Sequence, residues 1–120
     1  MQAALETRDP DAMVQICDPE VEWHTLWPGL DPVYRGHDGV REWARAFLEI
    51  FTDPGQEVIE VVQVDPDRVL IHVRLFGVGR ESGTPAEMSI YDLWTFRDGL
   101  VVHRQPFYER AEAEAAAGLR

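Results

Sequence analysis

The 120-residue chain has a single cysteine, no long apolar run, and half as many basic residues as acidic ones. Each shortage excludes something. A lone Cys17 rules out an internal disulfide and suits a reducing compartment, so a cytoplasmic location is expected. No apolar stretch approaches the ~18 residues needed to cross a bilayer. The start, MQAALETRDP, lacks the basic-then-apolar pattern of a secretory signal. With 11 basic against 22 acidic residues the formal charge is −11, and such a surface repels phosphate backbones. Neither nucleic acid nor membrane is an expected partner.

Chemical motifs are also scarce. There is no glycine-rich phosphate loop, no His-x-x-x-His or Cys-x-x-Cys spacing, and no Gly-x-Ser-x-Gly elbow. His24, His37, His72 and His103 are scattered, and strand alternation puts no two of them clearly on one face. No metal and no cofactor is expected.

What is present is a core. Hydrophobic residues make up 45% of the chain and aromatics 10%, enough for one domain spanning residues 1–120. Met1 to Thr7 has helical composition but little length. Asp9-Pro10 opens a second short helix, Asp11 to Ile16, with Asp9 as N-cap and Asp18-Pro19 as its stop. Val21 to Thr25 alternates as a strand, Val21 and Trp23 on one face, Glu22 and His24 on the other. A loop rich in proline and glycine follows, carrying Trp27 and Tyr34 as either a plug for the core or a ligand-contacting rim. The next helix begins at Gly36-His37-Asp38 and runs to about Phe51. Val40, Trp43, Ala44, Phe47, Leu48 and Phe51 recur there at helical spacing, and Asp53-Pro54-Gly55 ends it.

Gln56 to Val64 and Arg68 to Val78 read as strands about an Asp-Pro-Asp turn, the second with Val69, Ile71, Val73 and Leu75 inward and His72 outward. Glu87 to Tyr108 then forms two strands joined at Arg97-Asp98-Gly99, because Asp-Gly between alternating runs favours a tight hairpin turn. Ala111 to Leu119 is an alanine- and glutamate-rich surface helix stopped by Gly118. Helices precede strands without βαβ alternation. That order predicts an α+β fold, with one antiparallel sheet curving over the long helix.

Within the hairpin, Ile90, Asp92, Trp94 and Phe96 share a face, so a carboxylate stands in a row of large apolar residues. Alternation sends Arg104 into the same interior, sharing a face with Val102, Pro106 and Tyr108. Trp23, Trp27, Tyr34, Trp43, Phe47 and Trp94 can wall a cavity around the two charges. Burial alone would raise the pKa of Asp92 and fit it for acid–base work, whereas a nearby Arg104 would keep it an anion. Both remain open at this level.

The segments YRGHDGVREWARAF, SG, LWTFRDGLVV and ERAEAEAAAGL resemble the SnoaL-like polyketide cyclase branch of the nuclear transport factor 2-like superfamily, from about Asp9 to Leu119. The resemblance implies a cone-shaped α+β fold, a curved, mostly antiparallel sheet wrapped around N-terminal helices, a deep pocket for a small apolar molecule, and a homodimer through the outer sheet face. Tyr91, Leu93, His103, Gln105 and Phe107 would be its contacts. The family's first helix is usually longer than Met1 to Thr7 allows, which implies a short or truncated start.

Carried over residue by residue, Asp92 matches the protonated aspartate of ketosteroid isomerase, on the strand before the last hairpin turn. The isomerase's basic carboxylate is replaced here by His24-Thr25, which makes His24 the candidate second catalytic residue if it faces inward. The Trp-x-Asp of limonene epoxide hydrolase is replaced by Arg104-Gln105-Pro106. For the His/Asp pair of the cyclases, the nearest acid is Glu109. Trp23, Trp27, Tyr34, Trp43, Phe47, Trp94, Arg104 and Tyr108 are the expected ligand contacts. Two functions remain: an isomerase, cyclase or lyase acting on an apolar ring-containing carbonyl compound, or a non-catalytic ligand-binding or dimerisation module.

Overall fold

In a computed structural model, which describes residues 10–27 and 29–119, two helices lie on one side of a six-stranded sheet and a third on the other. The expected helix over Met1 to Thr7 and the Asp9 cap fall outside the described residues. Chain order is α1 (Pro10–Gln15), β1 (Cys17–His24), β2 (Val33–Arg35), α2 (Gly36–Ile50), β3 (Phe51–Asp65), β4 (Arg68–Gly79), β5 (Pro85–Arg97), β6 (Leu100–Phe107) and α3 (Arg110–Ala117). The sheet is curved and open, in the order β2-β1-β6-β5-β4-β3. Every pairing is antiparallel except β1 with β6, which is parallel. The α+β expectation holds.

Local patterning explains most of the elements. On α2, Val40, Trp43, Ala44 and Phe47 are buried against the sheet while Glu42 and Arg45 face solvent. Leu48, expected on that apolar face, is instead 42% exposed. His37 donates its Nε2–H to the Cys17 carbonyl (2.8 Å) and ties the start of α2 to β1. At the β5–β6 turn, Asp98 and Gly99 both have positive φ, as a two-residue hairpin loop with right-handed twist requires.

Two proline- or glycine-marked sites are bulges rather than stops. Asp18-Pro19 lies inside β1, which begins at Cys17 and not Val21, and the β1–β6 register shifts between Cys17 and Glu22. Asp53-Pro54-Gly55 does not end α2 with a turn. The chain passes straight into β3, and the register slips between Thr52 and Gly55 with Asp53 at positive φ. Because β3 is an edge strand, a proline without an N–H is tolerated there. A third slip, opposite Thr95 and Phe96, makes Val102 the extra residue. Val101, wholly buried, therefore takes the inward position expected of Val102.

Core packing separates two faces. The inner face, under α1 and α2, joins Val21, Trp23, Val40, Ile71, Ile90 and Trp94. Trp23 lies 5.2 Å from Trp43 and 5.6 Å from Trp94 between ring centroids. On the outer face, Ala113 and Ala117 of α3 are buried against Leu70 and Leu93, with Tyr91 and Phe107 at the margin. Thus α3 is a docked helix, not a frayed end, and Leu93 is already covered by the chain itself. Gly118 at φ 81° caps it in the left-handed conformation.

Candidate functional site

The inner face places Asp92 between Ile71 of β4 and Pro106 of β6 in the sheet register, with Trp94 opposite Arg104. Asp92 is 4% exposed and Arg104 7%. One guanidinium nitrogen, Nη2, lies 3.2 Å from Oδ1 and 3.3 Å from Oδ2 of Asp92. The other, Nη1, donates to the His24 carbonyl at 2.8 Å. The guanidinium also stacks over aromatic faces, 5.0 Å from the Trp23 ring and 5.8 Å from Trp43. A buried charge needs such a partner and such contacts to persist. Asp92 and Arg104 are therefore paired.

Three buried N–H groups beside this pair have no acceptor among the described residues: Nε of Arg104 and Nε1 of Trp23 and of Trp94. Each such group left unsatisfied costs about 1–3 kcal/mol. They border a narrow chamber completed by Met13, Trp43, Gln56 and Asp92. Arg104 and Trp43 also border a cleft leading outward past Trp27, Phe47, Leu75 and Tyr108. Chamber and cleft have space on the scale of a water molecule or two rather than of a ring, so the deep pocket expected from the resemblance is closed in this structure.

The remaining expected contacts sort clearly. Trp27 packs on Phe51 at 5.1 Å and covers the cleft as a rim residue. Tyr108 borders the mouth and donates its hydroxyl to the Leu26 carbonyl at 2.9 Å. Tyr34 is buried, pairs with Trp23 across β1–β2, and accepts the Asp31 N–H, so it is a core residue set back from the cleft. A larger open groove bordered by Asp53, Arg74 and Glu87 lies elsewhere, and its Arg74 already bridges Glu57 and Glu87.

His24 does not join Asp92. Alternation turns its imidazole to the outer face, where it lies 3.2 Å from Glu22 and its ring sits 4.7 Å from that of His103. Two histidines that the sequence did not clearly place on one face thus share one. Burial, helped by the neighbouring His24, holds His103 below the usual imidazole range. The hydrogen bond from His24, followed by the charge of Arg35, holds Glu22 below the usual carboxylate range. His72 lies outward as expected, stacked on Tyr91 at 4.2 Å. Cys17 is buried and its thiol is pushed up to about 12, so it is no nucleophile.

Comparison with known proteins agrees with this architecture. A family profile described as "SnoaL-like domain" matches residues 1–104. The chain belongs to the SnoaL-like family. No curated protein sequence matches it. Among solved structures, this SnoaL-like chain is similar to a nuclear transport factor 2-like protein from Burkholderia thailandensis, at 25% identity and TM-score 0.80, covering 99% of this chain and 92% of that one. It is also similar to TerC, crystallised with polyporic acid, at 21% identity and TM-score 0.78 over 97% and 91% of the two chains. A protein from Jannaschia sp. CCS1, named a SnoaL-like polyketide cyclase, aligns at 18% identity and TM-score 0.68 over 92% and 79%.

Proposed function

We propose that this SnoaL-like protein binds a small apolar, ring-containing carbonyl compound above the Asp92–Arg104 pair. The observation that carries the reading is the trio of unpartnered buried donors on Trp23, Trp94 and Arg104. A carbonyl oxygen is an acceptor of the kind they lack, and aromatic walls suit a ring. A carboxylate at Asp92, beside Arg104, is a proton acceptor. In that state Asp92 serves as a base on the carbon next to the carbonyl, in an isomerase, cyclase or lyase reaction. Admission of a ring requires the Trp27 loop to swing outward.

The second reading is binding without turnover. Among the described residues, Asp92 and Arg104 are the ionisable side chains bordering the chamber, so no separate acid meets the base there. The homodimer belongs to the same proposal. Ile59, Val61 and Phe76, exposed on β3 and β4, offer apolar surface for it.

A screen of cyclic ketones and hydroxylated aromatic carbonyl compounds, polyporic acid included, tests the binding. Quenching of tryptophan fluorescence is expected, and its absence across the panel overturns the reading. Asp92→Asn then separates the two functions: turnover lost with binding kept makes Asp92 the base, and turnover unchanged removes it from that role.

A further inference from the structure

Away from the chamber, on the other face of the sheet, Glu22, His24 and His103 converge. The parallel register of β1 and β6 sets Glu22 beside His103, and strand alternation brings His24 to the same face two residues on. One carboxylate oxygen of Glu22 and one ring nitrogen from each histidine all lie within 4.8 Å of one another. Among the described residues this is the one such group. A tetrahedral ion with bonds of about 2.0–2.2 Å separates its ligand atoms by roughly 3.4 Å. His24 Nε2 and Glu22 Oε1 are already 3.2 Å apart, so closing the site takes small side-chain rotations at His103.

The surroundings suit that chemistry. Arg35 Nη1 holds the second oxygen of Glu22 at 3.2 Å, which orients the carboxylate and leaves Oε1 to the ion. All three side chains are half-buried, open enough for an ion to enter and for water to complete the shell. Two imidazoles and one carboxylate make a donor set for zinc, cobalt, nickel or copper, whereas magnesium and calcium prefer oxygen alone.

We propose that Glu22, His24 and His103 form a binding site for a divalent transition metal of the zinc class, with its fourth position open to solvent.

Untagged, metal-stripped full-length protein titrated with Co²⁺ and Zn²⁺ is the test. One ion per chain is expected, at micromolar affinity, with the visible absorption of low-coordinate Co²⁺. His24→Gln and His103→Gln each weaken binding by at least about 100-fold, beyond what loss of an outer hydrogen bond does. His72→Gln, elsewhere on the outer face, leaves it unchanged. Imidazole NMR signals of the wild-type protein give the same answer without a variant: Zn²⁺ shifts His24 and His103 and spares His37 and His72. No binding at millimolar metal, full-strength binding by His103→Gln, or shifts confined to His37 or His72 overturns the proposal.

Discussion

The two faces of the sheet hold similar chemistry under different dielectric conditions. Inside, Asp92 and Arg104 are nearly excluded from water and lie among three tryptophans. Outside, Arg74 bridges Glu57 and Glu87, and Arg110 reaches Glu60, all substantially exposed. Charge attraction is strong only where water is absent, yet there desolvation offsets most of the gain. The inner pair is thus a committed arrangement, easy to break and hard to replace one residue at a time. The outer pairs are solvated and dispensable.

The largest expected effect follows from removing one inner partner. Arg104→Met leaves Asp92 buried without its cation and should lower unfolding free energy by about 3–5 kcal/mol. Arg74→Met on the outer face should lower it by about 1 kcal/mol or less. Urea denaturation of the two variants measures the contrast directly. Equal losses would erase the distinction between the faces. Next comes Leu93→Ala, which opens a cavity beneath α3 and should cost about 2–3 kcal/mol. A negligible loss would mean that α3 is not docked.

A smaller effect concerns pH. Burial, followed by the charge of Arg110, holds His72 below its ordinary value of 6.5. The folded state therefore resists protonating it, and the unfolded chain binds the extra proton first. Its contribution to stability is complete above about pH 6.5 and is lost as the pH falls below that value. His72→Gln should flatten this part of the stability–pH curve, and an unchanged slope would assign it to other groups. The smallest effect is at Cys17. Its thiol, pushed up to about 12, should stay unmodified by a thiol reagent at pH 8 until denaturant is added.

Legibility in the sequence tracked distance along the chain. The α2 helix, the β4 alternation and the Asp98-Gly99 hairpin are written in residues a few positions apart, and all appear as read. Asp92 and Arg104 were legible as inward charges because the hairpin turn sets their register. Parallel pairing of β1 with β6 was not, since it joins Glu22 to His103 across the whole chain. The Glu22–His24–His103 cluster cannot be seen without it, although the outward orientation of His24 follows from alternation alone. The bulges at Asp18-Pro19 and Asp53-Pro54-Gly55 escaped for a different reason. Proline and glycine mark a break in regular pairing, and only the neighbouring strand decides whether that break is a turn or a slip.

The parallel β1–β6 contact carries a consequence for assembly in time. β3, β4 and β5 are successive hairpin neighbours and need only short loops to close. β1 emerges first yet finds its central partner only when β6, near the far end, has been made. Such long-range closure is the slow kind of folding event. Until it happens, the halves of the aromatic chamber, Trp23 on one strand and Arg104 on the other, belong to separate pieces. The chamber should therefore be the last part of the molecule to come into being.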